Sequence, residues 1–276
     1  MAEAEATAAI AVSIALSGGQ GKTLTAYMLA MKASQMGVQT LLIDADPQRN
    51  LTDLLRVEVS SNEPTLLELI QGDVVADNAF YPVPERENLF LIPSDRALNK
   101  AQHYLSQLGN SAAVLRRRLK PIMSVFELIV VDTPPQKSHL CLTALGAADY
   151  AIIPAEAAAK GVNSLAETWA LIEECRSLDA FSGQLIGVLP FRAKWVGNRP
   201  TIETRSNMEL MEQMVGKALL PPLLESEVYK RSINYATMPA EISAQNVGLE
   251  YPFDVLFQRI FPNHTKTKTV IAQEVI

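Results

Sequence analysis

The chain has 276 residues, is 48% hydrophobic and carries a formal net charge of −6. Its mean hydropathy of +0.09, with charges spread along the whole sequence, excludes an intrinsically disordered chain. No uncharged apolar run reaches the ~18 residues of a transmembrane helix. The acidic start lacks the basic segment of a signal peptide, and residues 1–9 are expected to form a flexible leader. The net charge argues against a generally basic nucleic-acid-binding protein.

Apolar runs alternate with helical patterns along the chain. The runs that indicate buried strands are 10–16, 40–44, 89–93, 126–132, 150–154 and 184–190. The helical patterns are 23–36, 98–119, 138–147, 161–178 and 201–217. Strands that are apolar on both faces and alternate with helices are typical of a parallel sheet covered on two sides. We therefore predict one α/β domain over residues 10–276, a P-loop NTPase domain whose mostly parallel, twisted sheet has helices on both faces.

The first strand is followed by a glycine-rich turn, SGGQGKT, which we call the phosphate loop (Ser17–Thr23). Its glycines let successive amides point at phosphate oxygens, and the helix that begins there adds its positive end. Lys22 is placed to reach the β- and γ-phosphates, and the Thr23 hydroxyl can ligate Mg²⁺. Leu16 stands where the ordinary P-loop has a glycine. The residues expected to bind phosphate are Gly18, Gly19, Gln20, Gly21, Lys22 and Thr23.

Two later strands end in aspartate. Asp44 belongs to the run IDADPQ at 43–48, and Asp132 is followed by Thr-Pro-Pro. Ligands of parallel sheets bind at the carboxyl ends of the strands, so both carboxylates are expected beside the phosphate loop. Asp132 is predicted to hold Mg²⁺, directly or through water. Asp44 is predicted to orient or deprotonate the water that attacks the γ-phosphate.

These motifs resemble those of the ParA/MinD family of deviant Walker-A ATPases over roughly residues 10–245. The phosphate loop matches the family pattern xKGGxxK[ST] at every defined position except Ser17. The resemblance implies ATP and Mg²⁺ as cofactors and an ATP-dependent homodimer that sandwiches two nucleotides. It also implies non-specific binding to nucleoid DNA and ATP hydrolysis that a partner stimulates. The residues it places beside the adenine are Pro190, Phe191, Met238 and Pro239.

Ser17 replaces the lysine with which this family reaches across the dimer to the partner's phosphates. Lys160 follows the strand 150–154 and therefore lies at the same sheet edge, so we name it as the candidate substitute and as a catalytic residue beside Lys22. A serine at position 17 resembles the carboxysome-positioning branch of the family. That likeness implies a small McdB-like adaptor protein on the cargo.

The positive charge is concentrated near the end of the chain. Residues 191–276 carry ten Lys+Arg and nine Asp+Glu, whereas residues 1–190 carry 14 and 21. Non-specific DNA binding requires several cations on one face and not a basic protein overall. The predicted DNA-contacting residues are Arg192, Lys194, Arg199, Lys230 and Arg231, and the segment also contains Lys266 and Lys268. By contrast, Arg116–Arg118 end a predicted helix, where cations favour the helix dipole.

Three alternatives stay open. A plasmid or chromosome partition ATPase has the same motifs. A MinD-like membrane-associated ATPase would need a membrane-targeting helix, and the apolar segment Phe253–Phe261 has the composition of a core helix instead. An iron–sulfur relative would need suitably spaced cysteines, and Cys141 and Cys175 belong to no CxxC pattern. We therefore expect a cytoplasmic, nucleoid-associated protein without stable membrane association.

Overall fold

The computed structural model describes residues 7–60 and 62–264. The strands of the main sheet are β1 (Ala9–Ser13), β2 (Thr40–Asp44), β3 (Tyr81–Pro82), β4 (Leu89–Ile92), β5 (Leu128–Asp132), β6 (Tyr150–Glu156) and β7 (Gln184–Phe191). Their order is β3-β4-β2-β5-β1-β6-β7. Neighbours pair in parallel, except that β3 runs antiparallel to β4 at one edge. This arrangement confirms the predicted mostly parallel sheet. A separate hairpin is formed by β8 (Trp195–Val196) and β9 (Arg199–Pro200).

Helices cover both faces of the sheet. They are α1 (Lys22–Gln35), α2 (Asn50–Leu55), α3 (Leu66–Gln71), α4 (Asn99–Ser106), α5 (Val114–Leu119), α6 (His139–Ala147), α7 (Ala159–Ser177), α8 (Ile202–Val215), α9 (Glu227–Tyr235), α10 (Pro239–Ile242) and α11 (Tyr251–Ile260). One core layer contains Tyr27 of α1 and Phe253 of α11. The opposite layer contains Leu140 of α6 and Ile172 of α7. Each layer buries one face of the sheet, as the doubly apolar strands predict.

The predicted helix over 98–119 is two helices. A break at 107–113 separates α4 from α5, and it contains Gly109. This break brings the backbone of Ala112 against α6, where a side chain on Gly146 would lie 2.4 Å from the Ala112 carbonyl oxygen. The close approach of the two backbones therefore requires both the interruption and a glycine on α6.

The domain begins earlier than predicted. β1 starts at Ala9, and Ala8 is buried with its N–H donating to the carbonyl oxygen of Met123 at 2.8 Å. Ala8 and Ala9 therefore belong to the folded domain and not to the leader. Residues 1–6, like Lys266 and Lys268, lie outside the described residues.

The apolar segment Phe253–Phe261 forms α11 and packs into the core. Phe253 and Leu256 are fully buried, and the Arg259 guanidinium donates to the carbonyl oxygen of Ile186 at 2.7 Å. The apolar face of this helix is thus covered by the protein itself. In the part of the chain that the structure describes, no helix is long and apolar enough to cross a bilayer.

Candidate nucleotide site

A cavity of about 740 Å³ opens at the carboxyl edge of the sheet. The phosphate loop lines it, and so do α9 and the segment before α9. The other lining residues include Asp46, Gln48, Asn50, Pro135, Phe191 and Arg192. The cavity lies just beyond the ends of the parallel strands, where the ligand site is predicted.

The phosphate loop has a backbone that favours glycine at two positions. Gly19 has φ +79° and Gly21 has φ +99°, both in the left-handed region. Gly21 also lies against the ring of Phe191, because an added Cβ would be 3.0 Å from two ring carbons. Any larger residue at position 21 would therefore be strained and would push the ring away from the loop.

Lys22 begins α1 and is almost completely buried, with 7% of its surface exposed. Its ammonium group donates to the carbonyl oxygen of Ser17 at 3.1 Å. Burial lowers the pKa of Lys22, whereas the carboxylates of Asp132 and Asp46 raise it. The lysine thus sits at the mouth of the loop with two acidic neighbours, in a position to meet a bound phosphate.

Asp44 is completely buried and held by its neighbours. One carboxylate oxygen accepts hydrogen bonds from the N–H and the hydroxyl of Thr52, both at 2.8 Å, and the other accepts from the N–H of Asp46 at 3.2 Å. Burial raises the pKa of Asp44 to about 6, while the Thr52 bonds oppose that rise. The side chain is therefore fixed in one orientation.

Asp132 is equally buried, yet neither of its carboxylate oxygens has a hydrogen-bond partner within the described residues. Burial, together with the nearby charge of Asp44, raises its pKa to about 8. The Thr23 hydroxyl lies close enough to lower this pKa without meeting the geometry of a hydrogen bond, and Lys22 lowers it less. A buried carboxyl group without a partner requires an explanation. A hard cation held by the Asp132 and Thr23 oxygens, as for Mg²⁺, provides one.

Lys160 lies beside the phosphate loop, as its position after β6 predicts. It is exposed on the first turn of α7, and its ammonium group donates to the carbonyl oxygen of Gly18 at 3.2 Å. A lysine that contacts the loop and also faces solvent can reach a ligand of the same chain or of a facing one.

The residues predicted beside the adenine divide into two groups. Phe191 lines the cavity, and Pro190 is buried directly before it with its carbonyl oxygen bonded to the N–H of Leu223. Met238 and Pro239 are buried at the start of α10 and do not line the cavity. The structure thus brings only the first group to the site.

The part of the cavity lining that comes from α9 and the segment before it was not predicted from the sequence. It consists of residues from the segment before α9 and from α9 itself: Leu224, Glu225, Ser226, Glu227, Tyr229, Lys230 and Ile233. The local signal is the N-cap of α9, where the Ser226 hydroxyl accepts from the N–H of Val228. That signal marks a helix start but does not say that the helix faces a phosphate loop 200 residues earlier in the chain.

The five cations predicted to contact DNA do not form one uniform patch. Arg192 stacks over the Phe191 ring at 5.0 Å, and Lys230 pairs with Glu227 at 2.6 Å, so both belong to the wall of the cavity. Lys194, Arg199 and Arg231 are exposed, and none of the three forms an ion pair with an acidic side chain within the described ranges. The last three are therefore the cations best placed to meet a large anionic partner.

The other charged and sulfur-containing candidates have structural surroundings. Arg116 donates to the Ala147 carbonyl oxygen at 2.7 Å, and Arg118 donates to carbonyl oxygens at the end of α3. Cys141 and Cys175 are buried free thiols. Within residues 7–60 and 62–264, no three His, Cys, Asp or Glu side chains are grouped as metal ligands.

Comparison with known proteins agrees with this geometry. Residues 7–179 match the AAA domain family. The chain is 42% identical over 246 residues to "Maintenance of carboxysome distribution protein A" of Synechococcus elongatus, covering 89% of this chain and 96% of that protein. It is 27% identical to the probable plasmid-partitioning protein ParA of Thermus thermophilus, over 84% of this chain and 70% of that protein. A solved ATP complex of a variant of Cyanothece McdA is 40% identical, with a TM-score of 0.89 over 93% of this chain and 97% of that one.

Proposed function

The chain belongs to the AAA domain family of ParA-type ATPases and within that family resembles the McdA proteins, so we propose the following mechanism for it as a carboxysome-positioning ATPase. In this proposal two ATP-bound copies form a sandwich dimer and bind nucleoid DNA without sequence preference. A small McdB-like adaptor on the carboxysome stimulates hydrolysis and releases the dimer from DNA. The protein acts in the cytoplasm on the surface of the nucleoid.

The single observation that carries the proposal is the contact between Lys160 and the phosphate loop. Ser17 has neither the charge nor the length to reach a partner's phosphate, whereas Lys160 places an exposed ammonium group 3.2 Å from the Gly18 carbonyl oxygen. A second copy that faced this loop would meet that cation directly. We propose that Lys160 takes the role of the family's signature lysine in the dimer.

Each catalytic residue has surroundings suited to a step of ATP hydrolysis. The loop amides and Lys22 would hold and stabilise the phosphate charge, and Asp44, fixed by Thr52, would orient the attacking water. Mg²⁺ would be held by the Thr23 hydroxyl and the Asp132 carboxylate, and it would neutralise charge on the phosphates. Phosphoryl transfer depends mainly on such positioning and charge stabilisation.

DNA binding would use the exposed cations of the hairpin and α9. Lys194 lies at the base of the β8–β9 hairpin, Arg199 lies next to its tip, and Arg231 lies on α9. Pairing two subunits would double this set of charges, and affinity for a polyanion rises steeply with the number of phosphates that are neutralised. Non-specific binding that depends on ATP would follow from dimerisation alone.

The test compares the wild-type protein with Lys160→Ala and with Lys100→Ala, an exposed lysine on α4. Molar mass is measured by light scattering with ATP, ADP or no nucleotide, and binding to random duplex DNA is measured by gel shift. We expect the wild type and Lys100→Ala to dimerise and shift DNA only with ATP. Lys160→Ala should bind ATP yet stay monomeric. A Lys160→Ala protein that dimerises and hydrolyses ATP like the wild type would remove Lys160 from the mechanism.

A parallel arm addresses the MinD-like alternative. The same proteins are sedimented with anionic liposomes in the presence of ATP, beside the gel shift on DNA. Because the apolar face of α11 is buried, we expect the protein not to sediment with the liposomes. Sedimentation with liposomes and no shift of DNA would replace the proposed DNA carrier with a membrane carrier.

A further inference from the structure

The phosphate loop is tied to the segment that carries Lys160 by a buried side-chain hydrogen bond. Gln20 has no exposed surface, and its Oε1 accepts from the N–H of Glu156 at 2.8 Å. The amide orientation follows from this bond, since a backbone N–H can only donate. The Gln20 Nε2 has no partner among the described residues. Among the described residues, Gln20 is therefore joined to the segment of Lys160 through its amide oxygen alone.

The segment between Glu156 and Lys160 is a compact unit. A Cβ on Gly161 would lie 1.8 Å from the Glu156 carbonyl oxygen, so the first turn of α7 is packed directly on that peptide. The N–H of Ala158 donates to the same oxygen at 2.7 Å. A displacement of Glu156 must therefore move Lys160 with it.

A second tie joins the body of α7 to the entrance of the loop. The N–H of Leu16 donates to the hydroxyl of Thr168 at 3.1 Å, and that hydroxyl in turn donates to the carbonyl oxygen of Ser164 at 2.7 Å. Thr168 is completely buried. Leu16 lies directly before the phosphate loop, where the ordinary P-loop would begin with a glycine.

These contacts close a ring between the phosphate loop and α7. Gln20 joins the loop to Glu156, and Thr168 of α7 joins Leu16, directly before the loop, to α7. Lys160 of α7 in turn donates to the Gly18 carbonyl oxygen at 3.2 Å. We propose that Gln20 and Thr168 are positioning residues: they make the position of the Lys160 side chain depend on the conformation of the phosphate loop. Through them, ATP held by the loop would orient the lysine that pairs two subunits. This inference rests on the dimerisation role proposed for Lys160.

The experiment separates the binding of ATP from the pairing of subunits. Gln20→Met and Thr168→Val remove the acceptors while keeping nearly the same volume, and Thr168→Ser keeps the hydroxyl as the matched control. ATP affinity is measured by equilibrium dialysis with the protein dilute enough to stay monomeric, and dimer affinity by sedimentation equilibrium with saturating ATP. Melting curves show whether each variant is folded.

We expect Thr168→Val to keep ATP affinity within about threefold and to weaken dimerisation by about tenfold, the effect expected for one lost buried hydrogen bond. Gln20→Met changes a residue of the phosphate loop itself, so it should weaken both, and dimerisation by clearly more than ATP binding. Thr168→Ser should dimerise like the wild type. Equal losses of ATP affinity and dimer affinity, or a Thr168→Ser variant as weak as Thr168→Val, would show a merely structural role and overturn the proposal.

The wild type and Lys160→Ala are measured in the same series. If the wild type dimerises with ATP, Lys160→Ala does not, and both acceptor variants match the wild type, the inference about Gln20 and Thr168 fails while the proposed function stands. If the wild type itself does not dimerise with ATP, the proposed function fails and this inference fails with it.

Discussion

Asp44 and Asp132 are register partners at the ends of two neighbouring parallel strands, β2 and β5, and their carboxylates differ in what surrounds them. Asp44 accepts three hydrogen bonds, two from Thr52 and one from Asp46. Asp132 accepts none from the described residues. One carboxylate is thus fixed in place by the protein, and the other is left for a ligand. This difference supports separate roles for the two residues, water positioning for Asp44 and cation binding for Asp132.

Replacing Asp44 tests the water-positioning role. Asp44→Ala leaves the phosphate loop and the other cavity-lining residues in place, so we expect ATP affinity to stay within about threefold. The hydrolysis rate should fall by about 100-fold or more, in the range usual for loss of a positioned acid–base group. Phosphate release under single-turnover conditions measures this rate.

Thr52→Val provides the graded comparison for Asp44→Ala. It leaves the carboxylate in place but removes the hydroxyl that holds it, and it should slow hydrolysis by roughly tenfold, the cost of one buried hydrogen bond. The Asp44→Ala protein should also accumulate as an ATP-bound dimer on DNA. Undiminished turnover in Asp44→Ala would exclude Asp44 from the mechanism.

The pKa of Asp132 predicts how the stability of the nucleotide-free protein depends on pH. Burial raises this pKa to about 8, so the folded chain keeps a proton that the unfolded chain releases above about pH 4. The folded state then binds more protons than the unfolded state, and the free energy of unfolding should decrease as pH rises from about 4 to about 8. Asp132→Asn should remove most of this decrease, which at about 1.4 kcal/mol per pH unit is on the order of 5 kcal/mol over the whole interval.

This slope can be measured from melting temperatures in EDTA at half-unit steps between about pH 5.5 and about pH 8.5, because 1 kcal/mol shifts the melting temperature of a chain of this size by roughly 2–4 °C. The melting temperature of Asp132→Asn should change less with pH than that of the wild type, and this variant should be the more stable of the two at the alkaline end. Asp44→Asn is the comparison, because the pKa of Asp44 is raised only to about 6 and its effect should end near that pH. Parallel curves for the wild type and Asp132→Asn would contradict the prediction.

Phe191 is expected to hold the base of the nucleotide. Its ring packs on Gly21 and forms part of the cavity wall. Phe191→Ala should weaken ATP and ADP binding equally, by about tenfold, because stacking of a base on an aromatic ring is worth roughly 1–3 kcal/mol and does not involve the γ-phosphate. Calorimetric titration with both nucleotides measures this. A loss confined to ATP would place Phe191 near the phosphates and not near the base.

The carboxyl edge of the sheet was predictable because its residues lie in local motifs. Gly18 to Thr23 follow one strand, Asp44 and Asp132 end two others, and parallel strands with buried faces bring their carboxyl ends to one edge. Lys160 was found by the same rule. Only short-range patterns and one property of parallel sheets were needed for these predictions.

The far wall of the cavity depends on tertiary packing, and the sequence alone did not indicate it. Tyr229 and Ile233 face the phosphate loop because α9 packs there, whereas Met238, which the family likeness places beside the adenine, is buried in the core. The break between α4 and α5 is also coupled to tertiary packing, since it brings the backbone of Ala112 against Gly146 of α6. Packing between distant segments leaves little trace in local periodicity.

The last prediction concerns the exposed cations of the β8–β9 hairpin. Lys194 and Arg199 lie outside the nucleotide cavity. Lys194→Glu combined with Arg199→Glu should leave ATP affinity and dimerisation unchanged and should weaken DNA binding by more than tenfold at low salt. Each lost phosphate contact lowers the slope of log affinity against log salt by about 0.9, so the slope should decrease by about two.

A matched control reverses two cations outside the hairpin, Arg117 and Lys120, which are exposed near the end of α5. The double variant Arg117→Glu with Lys120→Glu changes the net charge by the same amount. It should bind DNA nearly as well as the wild type, since a distant charge is screened within about 10 Å at 0.1 M salt. Equal losses in the two double variants would show that DNA responds to the overall charge of the dimer. A loss confined to Lys194→Glu with Arg199→Glu would locate the contact at the hairpin, because only a local surface distinguishes two variants of the same net charge.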